Sequence, residues 1–231
     1  MHAESPLFLV VHGGYTQVIV GLSNGPQFVD TITMPHKLAS RDLVLAIDTL
    51  LKNNNFTLQD LCFIAAHQGP GPFTTLRSVL ATVNGLAFAT QLPLIGVDGL
   101  DAFIAQEKNT VTTRYLSCIL NAFCDDVYFA LYDHDTHTLI KGCESITQYI
   151  ARLKDLAEKT TLAGNAVALH RELIEKELQD QALIPENITD LATIESIAHQ
   201  AYNNWQNNLC ATQLLPLYLK DSSARLTTLV T

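Results

Sequence analysis

The sequence predicts an α/β protein built as two similar halves. Two observations carry this reading. Each half opens with three short apolar runs of strand character, and each then continues into alternating helical and strand patterns. A third observation places a long helix in the first half. The run HQGPGPFTTLRSVLATVNGLAFAT, 67–90, reads as a strand end, a Gly/Pro turn and a helix. The repeat is one of architecture, because the residues of the two halves do not match.

The elements follow in order. LFLVVH (7–12) and TQVIVGL (16–22) flank His12, Gly13, Gly14 and Tyr15, which is a hairpin signature. Asn24, Gly25 and Pro26 make a second turn before the strand QFVDTITM (27–34). In LASRDLVLAIDTLLKNN, Leu43, Ile47, Leu50 and Leu51 fall at helical spacing, and Asn53 to Asn55 end the helix. Thr57 with Asp60 resembles a capping box. A strand at 61–66 leads to Gly69, Pro70, Gly71 and Pro72, where two glycines free the backbone and two prolines stiffen it. After the long helix come a strand at 94–97 and a helix capped by Asp98. The polar segment 107–114 is read as a boundary. The second half has strands at 115–123, 126–133 and 137–143, a helix at 145–159, a strand at 160–163 and helices at 167–179 and 189–207. The expected lobes are 1–108, with the 189–207 helix packing back on it, and 109–188, with 208–231 as a tail. A doubly wound dinucleotide fold would place GxGxxG after the first strand, and here a second strand follows instead.

Composition excludes several functions. The 231 residues carry a formal charge of −9, from 14 Lys and Arg against 23 Asp and Glu. Binding to nucleic acid by charge needs clustered cations, and none occurs. Five cysteines, an odd number without CxxC, read as free thiols in a reducing compartment. No basic segment precedes the short first apolar run, so no secretory signal is expected. The long helix contains Arg77 and Asn84 and is no membrane span. A cytoplasmic protein is expected.

Few residues suggest chemistry. Gly13 and Gly14 can present backbone N–H groups to a phosphate, or serve only as a permissive turn. Asp133, His134 and His137 suit zinc, but they sit in an expected turn without a fourth ligand at a suitable spacing. Asp125 and Asp126 are adjacent, and neighbouring side chains on a strand point apart. Cys118 and Cys124 have no histidine nearby in sequence. Neither GxSxG nor GxxxxGK[ST] is present. No catalytic set, metal site or cofactor is therefore expected. The long helix offers surface instead. Phe73, Leu76, Leu80, Val83, Leu86 and Ala87 form one face, and Val79, Thr82, Gly85 and Ala89 a flank of mostly small residues. Small side chains let helices approach closely. Either both faces are core, or the flank packs on a partner. In the second case Thr75, Val79, Thr82, Val83 and Ala89 are the interface candidates.

At GPGPFTTLRSVLATVNGLAF the chain resembles the GPGSFTGLRIG…A.GLA signature of the TsaB family. His36 with Leu43 and Leu51, LPLIGVDGLDAF, NAFCDDVYFALYD, Gly164–Asn165–Ala166 and LPLYLK follow the family's further landmarks in order. Pro72 and Thr75 stand where the family has serine and glycine. His12–Gly13–Gly14 replaces Asp-Thr-Ser, and Asn121, Phe123 and Cys124 replace the charged residues of DARRG. The resemblance implies an actin-like ATPase (ASKHA) fold of two similar lobes with mixed sheets and a cleft between them. It implies a subunit without demonstrated chemistry of its own. Such a subunit pairs through its N-terminal lobe with the TsaD-type catalytic subunit and is joined by a TsaE-type ATPase. The complex transfers a threonylcarbamoyl group to N6 of the adenosine 3′ of the tRNA anticodon. Metal, adenylate and most tRNA contacts then belong to the partners, and a homodimer is expected when the chain is alone. In actin-like ATPases the first hairpin turn faces phosphates and an aspartate there helps to hold magnesium. His12 carries no such charge. No residue supports the proteolytic role suggested for some members. Two alternatives remain: an active small-molecule kinase or carbamoyl transferase of this fold, with Asp30, Asp42 or Asp98 as its acid, and a purely structural homodimer.

Overall fold

The computed structural model describes residues 5–220 together with the backbone of a short strand, Thr227–Leu229. The chain divides into two compact units. One holds 5–99 with Thr193–Leu217, and the other Leu100–Ala192 with 218–220 and that last strand.

In the first unit, β1 (Leu7–Gly13), β2 (Gln17–Asn24) and β3 (Gln27–Pro35) form an antiparallel meander. β4 (Phe63–Gly69) then lies parallel to β1, and β5 (Leu94–Asp98) parallel to β4. The sheet order is β3-β2-β1-β4-β5. Helix α1 (Ala39–Asn53) connects β3 to β4, and α2 (Phe73–Thr90) connects β4 to β5. Leu9, Val11, Val18, Val20 and Ile64 alternate onto the sheet face that meets Leu43, Ile47 and Leu50 of α1 and Val79, Leu80 and Val83 of α2. Helix α7 (Ile194–Gln206) packs with β1 and β5, and its Trp205 ring stacks 4.7 Å from Phe63, which itself stacks on Phe8.

The second unit repeats this topology. β6 (Tyr115–Asn121), β7 (Asp126–Asp133) and β8 (Thr138–Ser145) are the antiparallel meander, and β9 (Thr160–Ala163) and β10 (Ala182–Leu183) are the parallel pair. The order is β10-β9-β6-β7-β8, extended past β8 by β11, the strand Thr227–Leu229. Helix α4 (Ile146–Asp155) joins β8 to β9, and α5 (Asn165–Leu169) with α6 (Arg171–Leu178) joins β9 to β10. Helix α3 (Gly99–Glu107) follows β5 as α7 follows β10. Two units of meander, helix, strand, helix, strand and helix are the actin-like α/β fold.

Several element ends differ from expectation. The helix expected at 145–159 stops at Asp155, and Ala157 adopts a left-handed φ of 53°. The helix expected at 167–179 is two helices, because His170 leaves helical geometry between them. The last helix begins at Ile194 rather than 189, where Thr193 caps it by accepting a hydrogen bond from the Ser196 N–H. The first-lobe boundary expected at 108 falls at Gly99/Leu100, where the chain passes from the first compact unit to the second. The expected tail is shared, with 208–217 in the first unit and 218–220 in the second.

Segment 208–217 is held by polar contacts. Leu94 and Ala211 exchange backbone hydrogen bonds of 2.9 and 2.8 Å. The Asn84 amide of α2 donates to the Leu214 carbonyl at 2.9 Å and accepts from the Leu214 N–H at 2.8 Å. Leu214 is thereby buried against the core. Asn84→Ala removes both hydrogen bonds, each worth about 1 kcal/mol net. We expect a loss of about 2 kcal/mol in urea unfolding with an unchanged m-value. A loss within error would show that this segment is held by other contacts.

Candidate functional site

The site candidates converge on α2 and the strand ends beneath it. Gly69 enters the turn at φ +120°, a conformation that favours glycine. A methyl group there would lie 3.2 Å from both the Leu217 carbonyl and Leu76. Gly13 ends β1 against the inner side of α2, where a methyl group would stand 3.3 Å from Thr75 and 3.4 Å from Val79. The bare backbone at Gly13 lets the Thr75 and Val79 side chains of α2 lie directly against it.

The hairpin turn is closed on itself. The Gly14 N–H donates to the Gln17 carbonyl at 2.9 Å, Gly13 pairs with Val18 in the ladder, and both glycines are buried. The Gly14 amide is therefore committed to the turn. Beside them His12 and His67 are 5% and 4% exposed, with ring centroids 4.8 Å apart and edges to faces. His67 Nδ1 lies 3.1 Å from the Gly13 carbonyl, to which it donates. Burial holds His12 well below the ordinary imidazole value, and the second ring adds to this. Burial also lowers His67, against the opposing pull of the Gly13 and Gly69 backbone and the Asp98 carboxylate. Sequence spacing gave no sign that His12 would meet His67.

Of the acids considered for an active enzyme, Asp98 alone stands at these strand ends. Asp30 accepts from Asn54 Nδ2 at 2.9 Å, and Asp42 pairs with Arg41 on the surface of α1. The other clusters are occupied structurally. Asp133 accepts from Arg114 at 3.2 and 3.0 Å, which holds its carboxyl down at about 2. His137 Nδ1 meets the Tyr132 hydroxyl at 3.0 Å. Asp126 pairs with Lys220 at 2.9 Å, and Lys220 also donates to the Ala122 carbonyl. Among the described residues no three His, Cys, Asp or Glu side chains are grouped to hold a metal.

The interface candidates separate into inner and outer sets. Thr75, Val79 and Val83 are buried, with Val79 and Val83 inside the unit's own core. Thr82 is half-buried and its hydroxyl donates to the Ser78 carbonyl. Ala89 is exposed. The outward strip of α2 runs Thr74, Arg77, Ala81, Gly85 and Phe88, with Ala89 beside it. Nothing approaches within 4 Å of a methyl group placed on Gly85, and Phe88 is 81% exposed. Adjacent to this strip, Val44, Leu45, Leu51, Phe56, Leu58 and Leu86 line a groove of about 650 Å³ beside α1. Ala81, Phe88, Val44 and Leu45 were not among the sequence candidates. Each carries the same signal, an apolar residue one position out of phase with the buried stripe.

No helix among the described residues is long and apolar enough to cross a membrane. Comparison with known proteins adds the lineage. The chain is 25% identical over 174 residues to the tRNA threonylcarbamoyladenosine biosynthesis protein TsaB of Bacillus subtilis, covering 74% of this chain and 75% of that protein. It is 34% identical over 113 residues to the protein of the same name from Escherichia coli, covering 48% of each. Two solved structures from Pseudomonas aeruginosa superpose with TM-scores of 0.71 and 0.70 at 20% identity, each covering 93% of this chain and 100% of the other. One is described as an uncharacterized protein with similarity to peptidase YEAZ and the other as YeaZ, and at this identity the likeness is one of fold. The family model for TsaD, tRNA N6-adenosine threonylcarbamoyltransferase, matches residues 33–227, from within β3 onward. With most of its length matched by that model, the chain belongs to the TsaD family, and it is homologous to TsaB proteins.

Proposed function

We propose that this chain is a non-catalytic partner subunit. It binds and supports a TsaD-type threonylcarbamoyltransferase in forming N6-threonylcarbamoyladenosine beside the tRNA anticodon. The observation that carries the reading is the outward strip of α2, where Ala81, Gly85, Phe88 and Ala89 form an exposed apolar run that is small at its centre, with Arg77 the one charged side chain on the helix. A packed core fixes the helix, and its outer side is left for a second helix to approach. The similarity to proteins named for threonylcarbamoyladenosine biosynthesis supplies the pathway. The Gly14 amide bonded within its own turn and the uncharged His12 support assigning nucleotide and metal handling to the partners. In this reading a TsaE-type ATPase joins the pair, tRNA is met only through the complex, and the chain works in the cytoplasm.

The docking surface is centred on Ala81, Gly85, Phe88 and Ala89, with Thr82 at the seam and the α1 groove alongside. Ala89→Glu places a carboxylate in a contact that must lose water. We expect a loss of about 2 kcal/mol or more in pairing with a TsaD-type subunit, roughly thirtyfold in Kd, and an unchanged melting temperature. Val79→Arg should instead unfold the first unit, because Val79 is fully buried. Size exclusion of the mixed subunits, with a melting curve of each variant, checks both. Normal pairing by a folded Ala89→Glu places the interface elsewhere.

Alone, the chain should hydrolyse no ATP above background. Weak nucleotide binding is compatible with this reading. Magnesium-dependent turnover abolished by Asp98→Asn would overturn it in favour of an active enzyme.

A further inference from the structure

We propose that the second unit carries a binding site for a small aliphatic amine, in a cavity lined by the end of α3 and by β9. The cavity has a volume of about 240 Å³, room for about eight water-sized groups. Every residue that lines it lies between 107 and 189, inside that unit. Strand alternation makes its floor. Ile119 of β6 and Leu162 of β9 belong to the core under α4 and α6, so Leu116, Thr161 and Ala163 face the opposite side of the sheet. The end of α3 and the chain leaving it add Glu107 and Thr110. β10 and the chain after it add Leu183 and Pro185.

The hydrogen bonds around the cavity decide what it offers a ligand. The Thr113 hydroxyl donates to the Tyr115 carbonyl at 2.8 Å, and a carbonyl only accepts. Its single hydrogen is thereby used. In the 2.7 Å contact between the Thr113 and Thr161 hydroxyls, Thr161 is therefore the donor. Thr161 Oγ1 keeps lone pairs for the cavity and no hydrogen. Thr110 is spent in the same way, since its hydroxyl donates to the Glu107 carbonyl at 2.8 Å. The 3.5 Å contact of that hydroxyl with Glu107 Oε2 is the weaker claim on the same hydrogen. Among the described residues the Glu107 carboxylate otherwise meets the Gln106 amide, at 2.9 Å. Lys108, next in the chain, lies over the Tyr132 ring instead. None of the described side chains lining the cavity is cationic.

One carboxylate and two hydroxyl oxygens that can only accept call for a donor with positive charge. A primary ammonium has three N–H donors and no acceptor. Its hydrogen bonds to Glu107 are charge-assisted, and a partly enclosed site screens them less than open water does. A branched chain of about five carbons then fits the remaining volume against Leu116, Ala163, Leu183 and Pro185. A carboxylate or phosphate would meet the Glu107 charge with no cation to receive it. The Asn187 amide both donates and accepts, and so favours neither.

The probe is isoamylamine, titrated at neutral pH and low salt into the full, isotope-labelled chain. Isoamyl alcohol is the neutral isostere and isovalerate the anion. Amide resonances of Thr110, Thr161, Leu183 and Asn187 should shift with a Kd of about 1 mM or tighter. The alcohol should bind about tenfold more weakly, and isovalerate should move none of these resonances. Glu107→Gln keeps the shape and removes the charge. It should weaken the amine by about tenfold and leave the alcohol unchanged. Thr110→Val, at an exposed position, should weaken the amine by about threefold, and it decides the matter if Glu107→Gln does not fold. Equal binding of amine and alcohol, shifts confined to other surfaces such as α1, or wild-type affinity in a folded Glu107→Gln overturns the site. So does the absence of any shift at about 10 mM amine, tenfold above the expected Kd. Pairing through α2 concerns the first unit, so its success or failure leaves this site standing.

Discussion

The close approach of α2 to the end of β1 is the constraint on which the first unit depends. Gly13 accommodates it, since a methyl group there would already crowd Thr75 at 3.3 Å and touch Val79 at 3.4 Å. The approach is then fixed from three further directions. Gly69 turns the chain at a φ that favours glycine, His67 holds the Gly13 carbonyl, and Asn84 clamps Leu214 on the helix. The first two hold the strand ends and the turn from which α2 starts, and the Asn84 pair is a directional contact on the helix itself. With Val79, Leu80, Val83 and Ala87 of α2 in the core, Ala81, Gly85 and Phe88 face outward.

The second unit uses the same strand order but holds its elements with different chemistry. Arg114 gathers Asp133, Asp135 and Glu158 at one end of the sheet. Lys141, 8% exposed, reaches Asp101 at 2.7 Å. A buried ammonium without that carboxylate would be costly, so the pair fixes α3 against β8 by the penalty of separating them. Ser117 and Tyr149 satisfy one another at 2.6 Å inside the same unit. Three consecutive residues with positive φ, Phe123, Cys124 and Asp125, make the β6–β7 turn, where the family signature has charged residues. Lys220 and Asn121 satisfy the polar groups of that turn. Of the departures from the signature, Asn121 therefore has a structural use.

Much of the fold was legible because alternation in a strand and a period near four in a helix are local properties. The two meanders, α1, the Gly/Pro turn and the doubled architecture all came from such patterns. β10 and β11 did not, since strands of two or three residues have no period to read. The phase of α2 was only partly legible. Nearly every position of FTTLRSVLATVNGLAFAT is apolar or small, so the stripe that faces the core is weakly marked. Leu76, Leu80, Val83 and Ala87 were placed inward correctly, whereas Phe73 and Leu86 are exposed and half-buried, and Val79 of the small-residue flank is core. The meeting of His12 with His67 depends on strand order, which spacing along the chain does not carry.

Topological equivalence between the units sharpens the case for α2 as a docking helix. The segment between the two parallel strands is α2 in the first unit and α5 with α6 in the second. α6 carries Arg171 paired with Glu175, and Lys176 and Glu177 follow, with Glu177 meeting Lys154 of α4. That is an ordinary solvent-facing helix, whose charges would have to be stripped of water before anything could pack there. α2 has one charged residue in 18, and that residue lies over a ring of its own helix. Ala81 and Gly85 leave the backbone bare at its centre, and Phe88 stands into solvent at one end. Burying Ala81, Gly85 and Phe88 costs little desolvation and removes a large aromatic surface from water. Of two equivalent positions in a duplicated fold, the first is therefore the one suited to receive another helix.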